Sequence, residues 1–195
     1  MRYVFPFLAA MLLSASAFAA DLTDKDVQHW ISAYKSVVQW SKTQDKKDLE
    51  FMEKQRKPNV GNLFSGSIDA MKDHKIYSDF SAVLKKSGYD NPQEWAQQGD
   101  RIVSATMALE LEKRHTTSAE ARAQVQQALQ MLRNNPNMPP EQKAQMMQMM
   151  SMSNQMLNVA ENVPQADKDA VKRNADAIKA IMQDGHKPPE QAKAK

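Results

Sequence analysis

Along almost the whole chain, apolar residues return at intervals of three and four, the period of a helix with one face turned to a core. In LTDKDVQHWISAYKSVVQW, which begins at Leu22, these positions are Val27, Trp30, Ile31, Tyr34, Val37 and Val38. Thr23 stands ahead of them with Asp26 three residues later, a capping-box-like start. At about 100° per residue, Leu49 and Met52 rejoin the same face. The polar stretch SKTQDKKD (41–48) is therefore either a solvated continuation of one long helix or a break between two. Pro58, Gly61 and Gly66 punctuate the segment that follows.

Ile68, Met71, Ile76, Tyr77, Phe80, Val83 and Leu84 predict one helix, or two short ones meeting near His74, stopped by Gly88. Asn91, Pro92 and Glu94 form a strong helix start, with an N-cap side chain, a proline in the first turn and an acid at the third position. The face of that helix runs through Trp95, Ile102, Thr106 and Leu109, and Glu110 with Arg114 makes a favourably oriented i, i+4 pair. Thr117 and Glu120 open the next helix, striped by Ala121, Val125, Ala128, Leu129 and Leu132. A turn over 134–139 leads to a methionine-rich helix reaching about Asn162. A last helix over about 165–184 carries Val171, Ala175, Ile178 and Met182 and ends at Gly185, before a polar tail.

No alternating β-branched run and no Asn-Gly or Asp-Gly hairpin turn competes with this pattern. The expected fold is all-α, a multi-helix bundle of about five to seven helices. The nine aromatic residues beyond the first twenty positions all lie between Trp30 and Trp95, whereas nine of the fourteen methionines lie from Met131 onward. The expectation is one helical domain over 20–184. It has an aromatic core over 22–115, Met/Ala/Gln-rich helices forming a C-terminal hairpin over 117–184, and a disordered tail over 185–195.

The first residues read differently. Arg2 precedes an apolar run from Val4 to Leu13, and Ala17-Phe18-Ala19 supplies the small-x-small pattern of a signal-peptidase site. A cleaved signal peptide over 1–19 is expected, leaving Ala20 or Asp21 first and directing the chain to export. Its apolar run falls short of the ~20 residues that span a bilayer. The chain has no cysteine, which excludes disulfide exchange, thiol catalysis and thiolate metal sites. Its net charge of +3 is carried by interspersed residues of both signs. Nucleic-acid binding wants a basic stripe instead.

Catalytic signatures are equally scarce. His29, His74, His115 and His186 form no i, i+4 pair and no metal-binding array, and are expected at surfaces or helix ends. Asp100 is expected to be a solvated charge, since a catalytic acid of raised pKa needs apolar burial. Five glycines leave little room for a phosphate-cradling loop. A non-enzymatic protein without a resident cofactor is the expectation.

The exception to this blandness is MMQMMSMSNQM (146–156), six methionines in eleven residues. On a helical wheel, Met146, Met149, Met150, Met152 and Met156 share an apolar arc of about 160°, wider than one neighbouring helix covers. Three readings are open. The flexible thioethers fill irregular gaps in a core. Alternatively part of the arc, at Met146, Met149, Met150 and Met156, is exposed and holds a partner helix or peptide. Or Met146, Met150 and Met156 gather on Cu(I), a soft ion that thioethers suit. A sacrificial role toward oxidants is compatible with each.

Two segments resemble known families. Leu22, Thr23, Asp26, Val27 and Trp30, then Gly88, Tyr89, Pro92, Glu94 and Trp95, resemble a pattern in exported helical proteins of Gram-negative bacteria that have no assigned activity. The resemblance implies a periplasmic helical protein. MPPEQKAQM (138–146) is similar to the Leu-Thr-x-x-Gln segments of small periplasmic stress chaperones. There Gln142, Pro140 and Glu141 match, while Met138 and Pro139 stand in place of Leu and Thr. Together these readings predict an exported binding protein that contacts another envelope protein or peptide through its methionine-rich helices, with copper binding as the alternative.

Overall fold

In the computed structural model the described residues are 21–55, 61–114, 118–135 and 138–185. The expected signal peptide, Thr117, His115, His186 and the polar tail lie outside them. Every described element is helical: α1 Asp24–Ser41, α2 Lys46–Gln55, α3 Leu63–Met71, α4 Ile76–Lys86, α5 Pro92–Lys113, α6 Ser118–Arg133, α7 Pro140–Glu161, α8 Gln165–Arg173 and α9 Ala175–Gly185. The described residues are all-α and form nine helices rather than the five to seven expected. Both open choices resolve as breaks, at 42–45 and at 72–75. Asn174 splits the expected last helix by donating its side-chain amide to the Ala170 carbonyl and to Asp24. Such local side-chain bonding offers the backbone an alternative to a continuous helical ladder.

The helix starts are local chemistry. Thr23 Oγ1 accepts the Asp26 amide and Asp26 Oδ2 accepts the Thr23 amide at 2.8 Å, so the capping box is complete. Asn91 accepts the Gln93 amide, with Pro92 opening α5. At the end of α4, Tyr89 N–H donates to the Leu84 carbonyl and Gly88 N–H to that of Lys85. This paired closure needs a left-handed residue, and Gly88 supplies it at φ +90°.

The core is built around α5, which touches α1, α3, α4, α7 and α8. One contiguous cluster joins Leu22, Val27, Trp30 and Ile31 to Phe80, Leu84, Trp95 and Ile102, and takes in Ala170, Val171, Ile178 and Ile181 from α8 and α9. The C-terminal helices therefore return to the aromatic core. Trp30 stacks on Trp95 and Tyr34 and meets Phe64 edge-on. Phe64 and Phe80 close on Trp95 in the same edge-on manner.

α5 admits this packing because its buried face carries Ala96, Gly99, Ala105 and Ala108. A Cβ on Gly99 would stand 2.7 Å from Phe64 Cδ2 and 2.9 Å from Trp30 Cζ2 and Nε1. Those ring atoms are interlocked, and overpacking of this kind costs about 1–3 kcal/mol. The alanine recovers up to about 1 kcal/mol of helix propensity. Gly99→Ala is thus expected to lower the unfolding free energy in a urea titration by a net ~1–2 kcal/mol. Gly66→Ala in α3, where a Cβ meets nothing within 4 Å, should raise it.

Candidate functional site

α6 and α7 form an antiparallel hairpin whose two helices contact each other more than they contact the core. Arg122 Nη2 donates to Asn158 Oδ1 at 2.7 Å and to Glu161, tying the base of the hairpin. Lys143 Nζ donates to the Arg133 carbonyl at 2.7 Å, tying its tip. Between these ties Leu132 is buried from α6 and Leu157 from α7. From residue 144 through residue 160 there is no charged side chain, and none from 123 through 132.

The methionines divide by face. Lys143, Met146, Met150 and Leu157 follow one another at helical spacing on the side turned to α6, where Met146 and Met150 are half-buried. Met149 is 70% exposed, and Met147 and Met156 are 37% and 36% exposed. No methionine of 146–156 is fully buried: Met146, Met150 and Met152 are half-buried and the others exposed, so neither burial nor exposure describes the whole arc. Of the four expected contact residues, Met149 and Met156 are presented to solvent, while Met146 and Met150 line the seam between the two helices. The sequence reading missed Met131, 64% exposed on α6. Its signal was present, a lone methionine among glutamines, but its placement depends on the register of α6 against α7. Interpolation between the two ties brings Met131 level with Met146, within one turn of Met149.

The copper alternative does not fit this helix. α7 is continuous from 140 to 161, so Met146 and Met156, ten residues apart, are separated by about 15 Å along its axis. Three thioethers spread over that distance cannot share one ion. Among the described residues no group of three His, Asp or Glu side chains could hold a metal either.

Buried ionisable groups elsewhere are committed to the fold. Asp100, expected in solvent, is 8% exposed. It accepts the Phe64 amide at 2.7 Å, the Ser65 amide at 3.2 Å and the Ser65 hydroxyl at 2.5 Å, and so caps α3 from another helix. Asn62, the local N-cap residue, makes no side-chain cap of its own. Asp48 pairs with Lys75 at 3.1 Å and stands 3.9 Å from His74 Nε2, whose ring stacks on Phe51. His29 Nε2, exposed as expected, lies 2.7 Å from the Ser87 carbonyl at the end of α4. Glu110 pairs with Lys113 at i+3.

Burial pushes the Asp100 carboxyl above its ordinary 3.8, against the downward pull of the Ser65 hydroxyl and of the Phe64 and Ser65 amides. A carboxyl raised on folding contributes stability that is full below its unfolded pKa and is lost as pH rises through its folded one. Between about pH 3.5 and pH 6 the stability of Asp100→Asn should therefore rise more, or fall less, than that of wild type, by the loss of this one falling component.

Comparison with known proteins finds no matching family model, no matching curated sequence and no matching solved structure.

Proposed function

We propose that this is an exported, non-enzymatic protein of the Gram-negative cell envelope that binds an apolar helical segment of another envelope protein or peptide on its α6–α7 hairpin. One observation carries the reading: among the described residues, Met131, Met147, Met149 and Met156 are the exposed large apolar side chains, and all four lie on this hairpin. They sit in stretches without charge, in a chain of which 25% is charged. Interfaces are depleted of charge and enriched in methionine at their centres. Unbranched thioethers adapt to partners of varied shape. Among the described residues no helix is long and apolar enough to cross a membrane. The buried carboxylates are engaged in capping and pairing, which leaves acid–base chemistry without a free group at this face.

The test uses a fluorescein-labelled amphipathic peptide of leucine and glutamine. The wild-type chain is expected to bind it with micromolar affinity, on the order of −8 kcal/mol. The combined Met131→Gln, Met149→Gln, Met156→Gln variant should bind at least tenfold more weakly, with unchanged far-ultraviolet circular dichroism. Equal binding by both proteins, or none by wild type, removes the reading.

A further inference from the structure

On α7, Met149, Met152, Met156 and Val159 follow one another at spacings of three, four and three, the seam spacing of a helix that packs along another helix, and Val163 lies just beyond the helix end. At the inner end the seam has its neighbour. Val163 packs against the core cluster, Val159 is half-buried, and α5 touches α7. Farther out, Met156 is 36% exposed, Met152 is half-buried and Met149 is 70% exposed. The seam continues past the neighbour that covers its inner end.

Helical geometry places Met131 on the same side of the hairpin. Relative to the α6 face that meets α7, Met131 is turned by about 120°, and Met149 is turned by about 100° from the corresponding face of α7. The two helices run antiparallel, so these turns carry both side chains to one surface. Gln124 and Gln127 precede Met131 at i−7 and i−4 on that surface, and Gln145 precedes Met149. The result is a flat apolar and amide face without a charge between its two ends.

We propose that this face is covered by a second copy of the chain, hairpin against hairpin, in an antiparallel four-helix arrangement whose two-fold axis crosses the outer half of the hairpin between Met131 and Met149. The inference rests on the reading of the hairpin as a docking surface and names what occupies it in the free protein. Three features select a second copy. A two-fold pairing sets each residue near the axis against its own equivalent, which repels wherever the residue is charged; here the residues are Met and Gln. An uncovered heptad seam is satisfied by a helix of the same spacing, and the copy brings the identical seam. The bulk of the molecule lies at the base of the hairpin, so only an antiparallel arrangement keeps the two bodies apart.

The area agrees with a reversible pairing. The outer parts of α6 and α7, about 15 residues each and 8–10 Å apart, present a face roughly 22 Å by 18 Å. Two such faces bury on the order of 1,000 Å², the lower bound of specific interfaces. The dimer should accordingly be concentration-dependent, and a foreign apolar helix should compete for the same methionines.

Because the chain has no cysteine, a single introduced thiol reports the geometry without background. The experiment combines sedimentation velocity of the full chain with oxidative cross-linking of Met149→Cys and of Ala123→Cys, an exposed position on the far side of α6. Wild type is expected to double its apparent mass as concentration rises through the range typical of such small interfaces, about 10 μM to 1 mM. Met149→Cys should link into dimers at least tenfold faster than Ala123→Cys. Met149→Glu should keep its helicity and remain monomeric, and the leucine–glutamine peptide should dissociate the wild-type dimer. A wild type that stays monomeric throughout, or a dimer that survives Met149→Glu, overturns the proposal. A monomer that still binds the peptide overturns the self-pairing alone, whereas one that binds nothing removes the docking reading as well.

Discussion

Asp167→Ala is expected to be among the most destabilising single changes in the molecule, at about 3–5 kcal/mol. The carboxylate sits in the first turn of α8 and is 1% exposed. Its two oxygens accept three hydrogen bonds. Arg101 Nε donates to Oδ2 at 2.9 Å and Nη2 to Oδ1 at 2.7 Å, a two-pronged contact from α5. The backbone N–H of Leu22 donates to Oδ1 at 2.9 Å. One side chain thus pins the start of the chain's helical region, its central helix and its C-terminal helices. Removing it leaves the Leu22 amide without this acceptor beside a guanidinium that has lost both prongs. Breaking such a pair costs more than forming it contributes, because the remaining group stays desolvated. Since Arg101 is one-third exposed, water recovers part of the loss, which places the expectation toward the lower end of the range. For a chain of this size each kcal/mol moves the melting temperature by about 2–4 °C, so calorimetry should show a fall near 10 °C. A fall under ~3 °C would mean that the three helices hold together without the carboxylate.

The second large effect is expected at Trp30, where replacement by alanine should cost about 3–5 kcal/mol. The indole is fully buried, and its ring neighbours Tyr34, Phe64 and Trp95 come from three helices or their edges. Its Nε1–H donates to the Trp95 carbonyl at 3.0 Å. Deletion removes the largest contact area in the core and leaves a cavity whose walls are rings already fixed by one another. Trp30→Phe separates the contributions: it keeps an aromatic body and loses the hydrogen bond and part of the volume. Its cost should be about 1–2 kcal/mol in the same urea titration. Near-equal losses for the two variants would show that the hydrogen bond, rather than the ring packing, dominates at this position. By contrast, Met149→Ala removes a side chain already in water, and its folding midpoint should stay within about 0.5 kcal/mol of wild type.

Much of the fold was legible because helix signals are short-range. The Thr23–Asp26 box, the Asn91–Pro92 start and the Gly88 stop each involve residues within five positions of one another. Their chemistry acts whether or not the rest of the chain is present. The apolar period likewise marked Val27, Trp30, Ile31, Trp95 and Ile102 as core, and all five are buried. Helix number was less legible. The break at Asn174 depends on Asp24, which is 150 residues away.

What the sequence by itself determined is the helical character of the chain, its main start and stop points, and the concentration of methionine and amide side chains without charge in its later part. These follow from backbone preferences and from side-chain spacing on a single helix. What only the tertiary structure decided is where such residues end up. Asp100 and Asp167 look like ordinary surface acids in the sequence. They are buried because distant amides and a distant guanidinium satisfy them, which local spacing cannot reveal. Met146 and Met149 are neighbours in one methionine run, yet one is half-covered and the other exposed. The difference arises because α6 covers one side of α7 and Met149 lies on another.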